Sequence, residues 1–256
     1  MKLSFVSQGD GPALVIVHGL FGSGRNWGGI AKQLSGKWCV YLLDARNHGD
    51  SPWADSMTYE EMAGDVAEFI AAENLERPVI VGHSMGGKIA MTLALTQGGL
   101  LGGLAVADIA PVAYSVRFDN YVGTMRALDL STVARRADAS SMLEDAVPEP
   151  GIRAFLLHNL AAEDGGYRWR LNLDAIAANN QALAGFDAAT SGNRYDGPTT
   201  FLCGAESDYV LPAHEYEIRR MFPSVAIDRI KGAGHWLHAD HPREFTTRLD
   251  AFLTSI

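Results

Sequence analysis

One serine lies between two glycines, at the point where an apolar run changes to an amphipathic segment. Ser84 occupies the centre of Gly82-His83-Ser84-Met85-Gly86, which matches the pattern G-x-S-x-G. The glycines of this pattern let a strand turn sharply into a helix, so that the serine hydroxyl stands at the edge of a sheet. We therefore predict that Ser84 is a nucleophile. The alternative is that Gly82 and Gly86 only shape an ordinary turn between a strand and a helix.

A serine hydroxyl is a weak nucleophile, so it needs a base, a group that orients the base, and donors for an oxyanion. His235 lies in a glycine-containing loop, Gly232-Ala233-Gly234-His235-Trp236, after the last predicted strand. An imidazole titrates near neutral pH, which suits it to be the base. Asp108 follows a predicted central strand, so its carboxylate would reach the same edge of the sheet as Ser84. The alternative for Asp108 is a turn or helix-cap aspartate.

Backbone donors for an oxyanion are predicted in a loop near the start of the chain. The segment His18-Gly19-Leu20-Phe21-Gly22 follows an apolar run. Glycines let the backbone approach a ligand, and an N–H freed from the sheet can stabilise developing negative charge. We predict that Leu20 donates one N–H, with Phe21 as the alternative, and that Met85 donates another. Taken alone, the segment also fits an ordinary loop between a strand and a helix.

Short apolar runs alternate with amphipathic segments, which predicts an α/β fold with a mostly parallel sheet. The predicted strands cover residues 2–8, 13–17, 38–43, 79–81, 104–106, 199–203 and 225–230. The clearest predicted helices cover residues 27–34, 213–221 and 242–253, with two more starting at Thr58 and after Gly87. Thr58 and Glu61 have the spacing of a capping box, which marks a helix start. In such a sheet the strands carry their following loops to one edge.

The strand alternation stops over residues 112–193, where the sequence is helix-like and contains many aromatic side chains. An insertion of this length between two sheet strands predicts a helical cap over the carboxyl edge. We therefore predict one structural domain, with a core of residues 1–111 and 194–256 and a cap of residues 112–193. The cap would cover a pocket, and we expect Phe21, His83 and Trp236 to contact the substrate there.

Composition excludes several classes of function. The chain has 256 residues, 47% of them hydrophobic, and a net charge of −9, so it lacks the basic surface that nucleic acid or an anionic membrane requires. It shows no secretory signal and no apolar run as long as a membrane span, so we expect a cytoplasmic protein.

Cys39 and Cys203 fall in predicted buried strands, which favours reduced packing residues. No metal-ligand pattern occurs, and we expect no metal or cofactor. The oligomeric state is not predictable.

Five stretches, in this order, resemble the α/β-hydrolase fold over the whole chain. They are His18-Gly19-Leu20-Phe21-Gly22-Ser23, Arg46-Asn47-His48-Gly49, Gly82-His83-Ser84-Met85-Gly86-Gly87-Lys88, Asp108-Ile109-Ala110-Pro111-Val112 and Gly232-Ala233-Gly234-His235-Trp236. Together they are similar to the small bacterial esterases related to mitochondrial abhydrolase-domain proteins. The resemblance implies a carboxylesterase that acts on short acyl or thioester substrates without a cofactor.

The resemblance also bears on the choice of the acid. In many α/β-hydrolases the acid stands three residues after the glycine that ends the strand following the cap. Ser207 occupies that place here, and Asp208 is one residue further along. The esterases that this chain resembles use an aspartate 24 residues after the nucleophile, and 108 − 84 = 24. We therefore predict Asp108 as the orienting acid and keep Asp208, with Ser207 nearby, as the alternative.

The predicted reaction is hydrolysis of short- to medium-chain acyl esters through an acyl-enzyme on Ser84. A serine rather than an aspartate at this position disfavours dehalogenase or epoxide hydrolase chemistry. An acyl-thioesterase or a perhydrolase with the same three residues remains an alternative. A receptor-like α/β-hydrolase, which binds a ligand without turnover, also remains open because a fold does not determine a function.

Overall fold

The computed structural model describes residues 1–116, 118–163, 165–190 and 192–256. The strands are β1 Phe5–Gln8, β2 Ala13–Val17, β3 Cys39–Leu43, β4 Val79–His83, β5 Gly103–Ala107, β6 Leu160–Glu163, β7 Gly166–Trp169, β8 Thr199–Gly204 and β9 Val225–Ile230. The helices are α1 Gly28–Leu34, α2 Tyr59–Ala72, α3 Met85–Gln97, α4 Asp119–Ala127, α5 Arg136–Met142, α6 Pro150–Leu157, α7 Leu173–Ala178, α8 Asn180–Ala184, α9 Glu215–Met221, α10 Leu237–Asp240 and α11 Pro242–Thr254.

Seven strands form one sheet in the order β1-β3-β2-β4-β5-β8-β9. β1 runs antiparallel to β3, and the other neighbouring strands are parallel. The central strands β4 and β5 are buried over their whole length, as expected when helices cover both faces of a parallel sheet. His83 pairs with Ala107 at their ends, so Ser84 and Asp108 leave the sheet side by side.

Two apolar layers hold the helices on the sheet. On one face, α2 and α3 pack through side chains such as Met62, Phe69 and Ile89. On the other face, α1 and α11 pack through side chains such as Ile30 and Leu249. α3 is buried almost all round, because α2 covers it from the solvent side. The helix that carries the G-x-S-x-G turn is therefore the best buried helix of the fold.

The predicted capping box is present at the start of α2. The Thr58 side chain accepts a hydrogen bond from the Glu61 N–H at 3.2 Å, and the Glu61 carboxylate accepts from the Thr58 N–H at 3.2 Å. Two backbone donors that a helix start leaves without partners are thus satisfied. The helix begins where the sequence predicted.

The segment between β5 and β8, predicted as helix-like, contains helices and one hairpin. It contains α4 to α8, but it also contains β6 and β7, which pair as an antiparallel hairpin. Each strand has four residues, too few for an alternating pattern to stand out. The hairpin turns at Gly165, whose φ of 89° suits a glycine. The prediction of a helix-like segment did not include this hairpin.

The two cysteines are unpaired, and only Cys203 is buried. Cys39 is partly exposed because β3 begins there, at the end of the sheet away from Ser84, so the expectation that both would be buried was wrong. No helix in the described ranges is long and apolar enough to cross a membrane.

Candidate active site

The turn at Ser84 joins β4 to α3 with a strained backbone. Ser84 has φ 52° and ψ −117°, a conformation that residues other than glycine rarely adopt. A Cβ at Gly86 would lie 2.2 Å from the Val17 carbonyl oxygen, and one at Gly82 would lie 2.2 Å from the Gly86 carbonyl oxygen. Both positions therefore require glycine. The turn presents the Ser84 hydroxyl above the carboxyl edge of the sheet.

Ser84, His235 and Asp108 form a continuous chain of hydrogen bonds. His235 Nε2 lies 3.0 Å from Ser84 Oγ, and His235 Nδ1 lies 2.8 Å from Asp108 Oδ2. The carboxylate accepts from Nδ1–H, which leaves Nε2 as the acceptor of the serine proton. This is the arrangement that a base needs to deprotonate a serine during attack.

Asp108 is fully buried and accepts three hydrogen bonds. Besides His235, the Gly204 N–H donates to its Oδ1 at 2.9 Å, and the Ser207 hydroxyl donates to its Oδ2. These donors compensate the cost of burying a carboxylate. Ser207, at the place where many hydrolases carry the acid, thus binds the acid instead. Asp208 is solvent-exposed, and both ring nitrogens of His235 are engaged by Ser84 and Asp108.

The two candidate donors in the first loop differ in their hydrogen bonding. The Phe21 N–H donates to His48 Nε2 at 3.3 Å, whereas the Leu20 N–H has no acceptor among the described residues. The Gly19 carbonyl accepts from His18 Nδ1–H at 2.8 Å and from the Gly22 N–H at 2.9 Å. In a trans peptide the C=O and the N–H point in opposite directions, so these bonds also orient the Leu20 N–H.

The Met85 N–H is the other candidate donor. Met85 is the first residue of α3, and the backbone N–H groups at a helix start have no partner within the helix. Within the described ranges, no protein group accepts from it. Leu20 and Met85 both line the same cavity as Ser84. Two unengaged N–H groups are therefore available beside the serine.

Two buried histidines support the first loop in their neutral form. His18 accepts from the Ala45 N–H at 3.0 Å through Nε2, and burial lowers its pKa to about 4. His48 donates from Nδ1 to the Arg46 carbonyl at 2.9 Å, and burial lowers its pKa to about 3. A neutral imidazole offers one donor and one acceptor. The His18 ring and the His48 ring each donate one hydrogen bond and accept one, and all four bonds are to backbone groups.

His83 and His238 lie against the His235 loop. His83 Nε2 donates to the His235 carbonyl at 2.9 Å, and burial, followed by the neighbouring histidines, lowers its pKa well below 6.5. The His238 ring stacks on Trp27 at 4.3 Å, and burial lowers its pKa to about 3. His83 lines the cavity, and its Nε2 holds the loop that carries His235. No group of three or more potential metal ligands occurs in the described part of the chain.

A cavity of about 160 Å³ opens over Ser84. Phe21, His83 and Trp236, the predicted substrate contacts, all line it. The segment between β5 and β8 contributes a mostly apolar wall, namely Tyr114, Phe118, Tyr121, Ile152, Phe155, Leu156, Leu183 and Ala184. Pockets of this kind suit an apolar group held by a few polar contacts. The cavity can therefore hold an acyl chain next to the serine hydroxyl.

Four residues at this site had no predicted role. Tyr209 stacks on the His235 ring, with ring centres 3.9 Å apart. Asn159, at the end of α6, donates from Nδ2 to the Phe21 carbonyl at 2.8 Å. Tyr114 donates its hydroxyl to the Tyr209 carbonyl at 2.5 Å, and Lys88 lies in the cavity wall. Only Lys88 carried a sequence signal, because a lysine is unusual in a helix that is buried all round.

Comparison with known proteins agrees with this geometry. A family model described as the alpha/beta hydrolase family matches residues 14–248. The sn-1-specific diacylglycerol lipase ABHD11 of Mus musculus is 40% identical over 251 residues, which cover 94% of this chain and 81% of that protein. The esterase YbfF of Escherichia coli strain K12 is 33% identical over 237 residues, 92% of this chain and 91% of that protein. The solved structure of a marine microorganism esterase superposes with a TM-score of 0.94 at 39% identity, covering 98% of this chain and 99% of that one.

Proposed function

The chain belongs to the alpha/beta hydrolase family, and on that premise we propose that it is a serine carboxylesterase of short- to medium-chain acyl esters. The observation that carries the proposal is the hydrogen-bond chain from Ser84 through His235 to Asp108, beneath an apolar cavity. The names of its relatives, a diacylglycerol lipase and esterases, support ester hydrolysis as the reaction.

The proposed reaction has two halves. Ser84 Oγ attacks the ester carbonyl while His235 Nε2 takes its proton, and the same proton then goes to the departing alcohol. A water molecule then attacks the acyl-enzyme while His235 Nε2 takes its proton, and this proton returns to Ser84 Oγ as the acid is released. Asp108 holds the imidazole in the required tautomer and stabilises the imidazolium that forms in each half.

We assign the oxyanion donors to the N–H groups of Leu20 and Met85. Both are without a protein acceptor in the described part of the chain, and Met85 adds the positive end of the α3 dipole. Removal of one such donor typically costs about 3 kcal/mol in the transition state. Phe21 is the weaker candidate, because its N–H donates to His48.

We propose that the segment of residues 112–193 acts as the cap of the site. Its aromatic and aliphatic side chains, among them Phe118, Phe155 and Leu183, supply the apolar wall against which an acyl chain would pack. The cavity volume of about 160 Å³ favours short and medium chains. Residues of the core would then carry out the reaction, and residues of the cap would determine most of the selectivity for the acyl chain.

The decisive experiment compares the protein with Ser84→Ala on 4-nitrophenyl acetate, butyrate and octanoate. We expect a burst of nitrophenol from the wild type and a loss of kcat of about 10³-fold or more in the variant. The matched control is Ser115→Ala, because Ser115 is a second serine at the cavity wall. Equal, slow hydrolysis by the wild type and Ser84→Ala would refute the proposal. The same acyl groups offered as thioesters separate an esterase from a thioesterase.

A further inference from the structure

Lys88 is a buried cation in the wall of the cavity. It lies on α3, and only 2% of its surface is exposed. Its Nζ donates to the carbonyl oxygens of Ala184 at 3.0 Å and Gly185 at 2.6 Å, at the end of α8. Three aromatic rings surround the ammonium at 4.8–5.9 Å, namely those of Tyr114, Tyr59 and Phe186.

No carboxylate of the residues that the structure describes compensates this charge. Among the described residues, none pairs with Lys88 as an ion pair. Of the described residues that line the cavity, Lys88 is the single one with a Lys, Arg, Asp or Glu side chain. Burial lowers its pKa to about 7, which reflects the cost of a buried cation without a counter-charge. Such a group, in a cleft beside reactive residues, is a candidate for ligand binding.

Lys88 and Ser84 line the same cavity. Lys88 follows Ser84 by one helical turn, a rise of about 6 Å. Side chains on a helix lean toward its N-terminus, which brings Lys88 toward the serine. An ammonium has three N–H donors, and the protein carbonyls of Ala184 and Gly185 use two of them. One donor is left for a ligand.

We propose that Lys88 binds a carboxylate at the far end of the acyl chain, so that the preferred substrates are monoesters of short dicarboxylic acids. The carboxylate would supply the counter-charge that the described residues do not provide at this position. Hydrolysis of the ester bond by water would release the alcohol and the dicarboxylate. The inference rests on the proposed esterase function, because it names the acyl group that the same site prefers.

A matched pair of substrates tests the selectivity. The 4-nitrophenyl monoesters of succinate, glutarate and adipate are compared with the same esters carrying a terminal carboxamide, which has the same shape without the charge. We expect the wild type to favour at least one carboxylate by about 10-fold or more in kcat/KM. Lys88→Met should abolish this preference, so that KM for the carboxylates rises by that factor relative to KM for the carboxamides. Equal losses on both series would mean that Lys88 only packs against α8 and would overturn the inference.

Binding without turnover separates this inference from the proposed function. Glutarate is titrated by calorimetry into Ser84→Ala and into Ser84→Ala with Lys88→Met, and we expect binding to the first alone. If no ester is hydrolysed but glutarate binding depends on Lys88, the carboxylate site stands and the esterase proposal fails. If esters are hydrolysed and glutarate binds neither protein, the esterase proposal stands and the inference fails.

A pH series on Ser84→Ala tests whether glutarate binding depends on the charge of the Lys88 ammonium, without a substitution at Lys88. The groups that face the ammonium are the phenols of Tyr59 on α2 and Tyr114 after β5, and the carbonyls at the end of α8. Burial raises the pKa of Tyr59, so that phenol stays neutral. Because the pKa of Lys88 is about 7, glutarate affinity should fall about 10-fold per pH unit above that value, with uptake of one proton at pH 8. Affinity that is constant from pH 6 to pH 9 would contradict a role for the ammonium.

Discussion

Three residues of the candidate active site have a left-handed backbone. Phe21, Ser84 and Asp108 have φ values of 62°, 52° and 49°. Each such conformation costs about 1–3 kcal/mol for a residue other than glycine, and surrounding packing has to compensate it. At Ser84 the strain lifts the hydroxyl out of the sheet. At Asp108 the backbone turns where the carboxylate meets His235, so the strained positions coincide with those that present reactive groups.

The assignment of the acid leads to a prediction for two aspartates. Asp108→Asn should lower kcat by about 10³- to 10⁴-fold, because an amide holds the imidazole in the wrong tautomer. Asp208→Asn should leave kcat within a few-fold, because Asp208 is exposed and His235 Nδ1 is engaged by Asp108. Steady-state kinetics with 4-nitrophenyl butyrate measures both. A larger loss for Asp208→Asn would transfer the role to that residue.

Among the elements, the β4–α3 turn tolerates the least change. Gly86→Ala should lower the free energy of unfolding by about 3 kcal/mol, or roughly 6–12 °C in Tm, because the new Cβ meets the Val17 carbonyl. Gly29→Ala is the control, since nothing lies within 4 Å of a Cβ at that position of α1. It should raise stability by up to about 1 kcal/mol. Thermal unfolding checks both, and a stable Gly86→Ala protein would refute the steric argument.

The cap segment also reaches the first loop, through Asn159. Its amide donates to the Phe21 carbonyl and, at 3.1 Å, to the Leu156 carbonyl. The Leu156 carbonyl also accepts from the backbone N–H of residue 159, so Asn159→Leu keeps the size and removes the donor of the Phe21 carbonyl alone. We therefore expect kcat to fall about 10-fold with little change in KM. Kinetics on one short ester measures this effect.

Asn179 provides the matched control for that prediction. It lies in the same segment and donates to the Asp55 carbonyl at 2.7 Å, away from Leu20 and Phe21. Asn179→Leu should lower Tm and leave kcat unchanged. If both variants lost kcat equally, Asn159 would act through the stability of the segment and not through the loop.

Over the whole molecule, buried neutral histidines make stability depend on pH. His18, His48, His83 and His238 all have pKa values lowered by burial from 6.5. Below pH 6.5 the unfolded chain takes up protons at these positions and the folded protein does not, until pH reaches the folded pKa. The stability that these histidines contribute is therefore fully present above pH 6.5 and falls below it, by about 1.4 kcal/mol per pH unit for each histidine.

His238 offers a test of this linkage, since its Nδ1 is buried without a hydrogen-bond partner. His238→Phe keeps a ring against Trp27 and removes one titrating group. We expect urea unfolding between pH 7 and pH 5 to show a shallower loss of stability for this variant, by about 1.4 kcal/mol per pH unit. Parallel curves for the two proteins would show that His238 is protonated in the folded state.

Much of the fold was predictable because it depends on local patterns. The runs at Ala13–Val17 and Val225–Ile230 match the observed strands, and the α/β-hydrolase fold and family were confirmed. Buried parallel strands are continuous apolar runs, which a single sequence displays clearly. The hairpin β6–β7 was missed because each of its strands has only four residues, too few for an alternating pattern.

The amino-acid sequence by itself determined which residues follow the strand ends. Parallel strands of one sheet bring such residues to a common edge, so Ser84, Asp108 and His235 could be named before any distance was known. The tertiary structure decided which groups these residues bind. Two examples are the hydrogen bond from Ser207 to Asp108 and the donation of the Phe21 N–H to His48, which join segments far apart in the chain. A third is that no carboxylate of the described ranges lies beside Lys88. No local pattern records such contacts, because they depend on how the cap and the loops pack over the sheet.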